Sequence, residues 1–116
     1  MSNNIISESQ WISLVKDINL ITQELIEARK KLIEAKDDVI SKKEWLANQT
    51  CDLICGGVPG KNEKERDAWI RRQTQTCRIA LEKSERQERV ASLELEIAKD
   101  KRQCLEDLIK IAGMEF

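Results

Sequence analysis

Apolar residues recur along the first half of the chain in alternating steps of three and four. Trp11, Leu14, Ile18, Ile21, Leu25, Ala28, Leu32, Ala35, Val39, Leu46 and Leu53 follow this spacing, with Lys42 and Gln49 filling its two gaps. Held over about six heptads, the pattern is the seam of a packed helix. No Gly or Pro interrupts it. Ser7 and Gln10 have capping-box spacing, and Ile6 and Trp11 are placed as a hydrophobic staple, so the helix is predicted to start at about residue 8. Gly56 stands where a left-handed residue closes a helix, and Pro59 blocks resumption, which puts the end near Cys55.

The helix breakers are concentrated between Cys55 and Asn62: Gly56, Gly57, Pro59 and Gly60 all fall there. Asn62 and Glu65 then repeat the capping-box spacing and open a second helical stretch, from about residue 62 to 112. Gly113 is its stop, with Met114 placed to fold back on Ile109. Each arm would be roughly 70 Å long at 1.5 Å per residue. A short turn at about residues 56–61 between two such arms predicts an all-α fold, a long antiparallel hairpin of coiled-coil type in one domain.

The second arm is less regular. Its seam runs through Ile70, Cys77, Leu81, Ala91, Leu95, Ala98, Leu105, Ile109 and Ala112, with breaks at Ser84 and Glu88 in the polar stretch EKSERQER. The TQTC segment at 74–77 carries two Thr, which weaken a helix and allow a kink there; three helices would then replace two. Val90, Ile97, Cys104 and Ile111 form a flanking row.

A second row on the first arm, Ile12, Ile26, Ile33, Ile40, Ala47 and Ile54, lies about 100° around the helix from the Leu25 row. One partner helix covers only a narrow seam. This row therefore predicts a further neighbour, most simply another copy in a helical bundle, with Ile26, Ile33 and Ile40 at the interface. A wide intramolecular face or a different helical protein are the alternatives.

Composition agrees with long, surface-rich helices: 35% of the 116 residues are charged and 3% are aromatic. Six pairs place an acid four residues before a base: Glu27/Lys31, Asp38/Lys42, Asp67/Arg71, Glu82/Arg86, Glu85/Arg89 and Glu106/Lys110. Each such pair contributes about 0.2–0.5 kcal/mol to a helix. The net charge of −1 supplies no global field toward nucleic acid or anionic lipid. Apolar runs are too short to span a membrane, and MSNNIISESQ lacks the basic and apolar regions of a secretory signal. With four unevenly spaced Cys, this suggests reduced thiols in a cytoplasmic protein.

The chemistry-bearing residues predict no enzyme and no cofactor. Cys51 and Cys55 lie at a helix C-terminus, where the dipole opposes a thiolate, and there is no His to act as base or zinc ligand. These thiols read as buried or idle, with an occasional disulfide or a metal or redox use as alternatives. VPGK lacks the upstream Gly, the following Ser/Thr and the preceding strand of a phosphate loop. Between Lys61 and Arg78 there are six bases against three acids, and Lys42, Lys43, Trp45 and Trp69 return to the same end of a hairpin. Lys61, Lys64, Arg71 and Arg72 are thus candidates for nucleic-acid contact. The alternative is a solvated tip, partly neutralised by Glu63, Glu65 and Asp67.

The stretches GKNEKERDAWIRR and EKSERQERVASLELEIAKDKRQCLEDLIKI resemble small hairpin proteins of phage and prophage accessory regions. The resemblance is carried by Gly60, Lys61, Asn62, Glu63 and Arg66 and covers about half of the chain. It implies a mobile-element, intracellular setting and carries no reaction with it; the cysteines near the turn and Trp69 depart from it. The sequence thus predicts a non-enzymatic interaction or scaffolding module, partnered by itself or by another helical protein. The alternative is a nucleic-acid-associated accessory protein using the hairpin tip.

Overall fold

The computed structural model describes residues 7–113. Three helices follow in order: α1 (Glu8–Cys55), α2 (Glu63–Gln73) and α3 (Gln75–Gly113). The long helices α1 and α3 pack antiparallel, so that partners on α3 run backwards as α1 advances. Leu25 and Ala28 pack with Leu95 and Ala98, Lys31 reaches Glu94, and Asp38 meets Ser84.

The helix starts carry the predicted caps. Gln10 N–H donates to Ser7 Oγ at 3.2 Å, and Ser7 N–H donates back to Gln10 Oε1 at 2.9 Å. Two of the amides left over at a helix start are satisfied in this way. The staple with Ile6 and the fold-back of Met114 lie outside the described residues. At α2, Glu65 N–H donates to Asn62 Oδ1 at 2.9 Å, but the Glu65 carboxylate accepts from Lys61 N–H at 2.8 Å instead of from Asn62. The return bond thus ties down the turn one residue earlier.

α1 ends at Cys55, as the sequence predicts, but the left-handed residue falls one position later than expected. Gly56 N–H still bonds Asp52 O at 3.0 Å, an α-helical contact, and the left-handed residue is Gly57, at φ 92°. Because Gly56 still makes this bond, the reversal falls on the next glycine. Gly60, at φ 141°, is needed for a second reason: a Cβ there would lie 2.9 Å from Arg66 Cγ and 3.0 Å from Arg66 N. The chain passes too close to the first turn of α2 for any side chain.

The second arm is interrupted at Thr74, which has φ −100° and ψ 11° between α2 and α3. Thr74 is fully buried. Its hydroxyl donates to Ile70 O at 2.8 Å and accepts from Arg78 Nε at 3.0 Å. Back-bonding of this kind bends a helix, and a ψ near zero turns the chain away from the helical value of about −42°. The backbone bonds on either side survive, Thr74 N–H to Ile70 O and Arg78 N–H to Thr74 O, so the interruption is a single residue.

Two compact units divide the described chain. The first takes α1 up to Leu32 and α3 from Ala91, and its core is Leu25, Ala28, Leu95 and Ala98 with Leu32 packed against them. Ala98 packed with Leu25 lets the helix axes approach closely. The second unit holds residues 33–90, including the turn and α2. Its buried positions are Val39, Thr74, Cys77 and Ser84. Ser84, expected as a break in the seam, is instead a buried member of it at 2% exposure, and its hydroxyl donates to Asp38 Oδ2 at 2.5 Å. Near the end of α1 the half-buried residue is Thr50, not Gln49, which faces water.

Candidate interaction surface

Ile26, Ile33 and Ile40 are exposed, as are Ile12, Ala47 and Ile54 in the same row. Ile33 retains 60% of its accessible surface. Nothing among the described residues covers the row, so the wide intramolecular face is not formed there. Three residues after each central Ile stands a base, at Arg29, Lys36 and Lys43. These three are exposed and have no carboxylate partner among the described residues. The helix repeat sets them beside the Ile row as a parallel basic column.

The other flank of the first unit presents a different surface. There α1 and α3 leave an open, partly apolar groove in which Leu20 and Ile97 stand over the buried Ile21 and Ala98. Five carboxylates line it, Asp17, Glu24, Glu27, Glu94 and Asp100, against two ammonium groups, Lys31 and Lys101. Sequence reasoning placed Ile97 in a flanking row but passed over Leu20, which is 64% exposed and off the three–four seam steps. Its signal was available: an isolated Leu midway between acids seven residues apart, Asp17 and Glu24.

At the tip, Lys64 and Arg71 share one shallow groove with Glu63 and Asp67. Arg72 lies on another, beside Trp69, Pro59 and Glu65. Lys61 is exposed, and its backbone is bonded to Glu65. Three of the four candidate bases are thus divided between two grooves, each of which also holds acid, and Lys61 lines neither.

Charge pairing follows the predicted spacing only in part. Asp38–Lys42 at 3.6 Å and Glu82–Arg86 at 3.4 Å form. Glu27 pairs with Lys30, Lys31 with Glu94 across the seam, and Glu106 with Arg102. These alternatives arise because neighbours at three, at four and across the seam compete at comparable distances, and all are exposed enough to contribute little. The Asp38 carboxyl is held below its usual range by the Ser84 hydroxyl, and the Lys42 ammonium acts in the same direction; partial burial opposes both.

Cys77 is buried in the seam, whereas Cys51, Cys55 and Cys104 are exposed; all four are free thiols. Among the described residues no group of three or more His, Cys, Asp or Glu is placed to hold a metal ion, and no helix is long and apolar enough to cross a membrane. Comparison with protein-family models, curated proteins and solved structures gives no match.

Proposed function

We propose that this chain is a non-enzymatic helical module that works by binding protein, an accessory or scaffolding component of the intracellular kind implied by its resemblance to phage and prophage hairpin proteins. The observation that carries the reading is the uncovered row Ile26, Ile33 and Ile40 on a helix whose other face is already used by α3. Scattered exposed apolar residues need no explanation, but a heptad-spaced row on a long helix is the form of a helix-docking surface. The nucleic-acid alternative has less support, because Glu63 and Asp67 share the groove of Lys64 and Arg71 and lower its attraction for phosphate.

A photo-crosslinking residue placed at Ile33 tests this in cells that express the chain, with the same probe at exposed Glu63 in the tip as control. Protein adducts, identified by mass spectrometry, are expected from position 33 and not from 63. If probes at Ile33 and at Ile97 both yield no protein adduct, the module reading fails.

A further inference from the structure

The two uncovered apolar surfaces lie on opposite flanks of α1; the row has a basic column on one side and Lys30, Asp37 and Glu44 on the other, whereas carboxylates outnumber bases around the groove. Leu25 faces α3 in the core. Glu24, one residue before it, lines the acidic groove, and Ile26, one residue after it, begins the basic-flanked row. Successive residues are about 100° apart, so these two point away from the seam in opposite senses.

The basic side of the row and the groove are complementary in sign. A base stands three residues after each Ile, at Ile26/Arg29, Ile33/Lys36 and Ile40/Lys43. The groove presents acid, Leu, acid at Asp17, Leu20 and Glu24, with Ile97 and Asp100 supplied by α3. Asp17, Glu24 and Asp100 have no ion partner among the described residues, and neither do the three bases. Two acidic grooves brought together would repel, which disfavours groove on groove.

We infer that the Ile26/Ile33/Ile40 row of one copy seats in the Leu20/Ile97 groove of a second copy, so that the chain assembles through two different faces. This rests on the interaction-module reading and names its partner. Because the faces differ and both remain available on every copy, the contact is heterologous and propagates instead of closing at a dimer. Apolar contact supplies the affinity, and the unpaired charges set polarity and make assembly sensitive to salt.

The test uses sedimentation velocity on the full chain and two variants, Ile26→Glu/Ile33→Glu and Leu20→Lys/Ile97→Lys. The wild type is expected to exceed twice its 13.4 kDa monomer mass as concentration rises, and to shrink with added salt. Each variant alone should sediment as a monomer, with association weakened at least about tenfold. Mixed together they should recover a one-to-one dimer and nothing larger, since only one good row and one good groove remain. A wild type that stays monomeric at about 100 μM, a range where even weak contacts show, overturns the inference. So does either variant assembling like the wild type. If a variant loses its helical circular dichroism, Arg29→Glu/Lys36→Glu and Glu24→Lys/Asp100→Lys replace the pair with the same expectations. A monomeric wild type whose Ile33 probe still captures a different protein leaves the module reading standing; a monomer with no adduct removes both.

Discussion

Leu25→Ala is the sharpest probe of what holds the hairpin together. Leu25 is 3% exposed at the centre of the first unit, between Ala28, Leu95 and Ala98. Truncating a buried Leu costs about 2–5 kcal/mol, from lost transfer energy and the cavity left behind. A two-helix seam has water on both flanks and can partly collapse or wet, so the lower part of that range applies, about 2–3 kcal/mol. A chain of 116 residues has a stability of order 6–17 kcal/mol, and a thin core belongs near the bottom of it. The variant should therefore lose a third or more of the total. Leu20→Ala is the matched control, on the same helix and with the same atoms removed. Leu20 is already mostly in water, so the expected loss is about a third of a fully buried Leu, roughly 0.5–1 kcal/mol. Urea unfolding followed by circular dichroism at 222 nm measures both, at concentrations low enough that association does not add to stability. With a slope of about 1–3 kcal/mol/M, the Leu25 midpoint should fall by about 0.7–3 M and the slope should hold. Equal shifts for the two variants would refute the assignment of Leu25 to the seam.

Asp38→Asn should alter the acid limb of stability. The Asp38 carboxyl is held below its ordinary range, chiefly by the Ser84 hydroxyl, so its stabilising share is present above the ordinary carboxylate range and is lost as pH falls through its folded value. The wild type should exceed the variant at pH 7 and the gap should close below about pH 4; thermal melts showing a constant gap down to pH 2 would reject the coupling to Ser84. Gly60→Ala should destabilise by at least about 1 kcal/mol, and by more than Gly57→Ala, because both sites have positive φ but only Gly60 is crowded by Arg66. Urea titration of the two variants gives the ranking, and the reverse order would contradict the close approach of the turn to α2.

The sequence carried the seam because a heptad pattern is a direct image of which side of a helix is buried, and α1 keeps that pattern from Leu14 to Leu53 with little interruption. Polar seam positions were harder to read. Ser84 looked like a gap because its burial depends on Asp38, 46 residues away, and no local spacing reveals that pairing. Thr74 raised the prospect of a kink through its weak helix propensity, but its full burial and its bond from Arg78 are tertiary facts. The left-handed glycine was placed one residue early, at Gly56, because two adjacent glycines offer the same local freedom and only the Asp52 bond decides between them. The Ile row was visible as a row, while the groove opposite it was not, since Leu20 and Ile97 come from different helices and meet only once these are packed.

The half-buried bond between Ser84 and Asp38 also limits how far the two long helices can slide past one another. Seam patterns that repeat every seven residues tolerate slippage by one heptad, because large and small residues exchange for their like. Here the neighbouring positions on α3 are Cys77 and Ala91, both buried and neither able to donate a strong hydrogen bond to a carboxylate. A shift either way would face Asp38 with an apolar residue and forfeit its bond from the Ser84 hydroxyl. One polar contact in an otherwise repetitive interface thus fixes a single alignment, much as an isolated polar residue pins the register of a coiled coil.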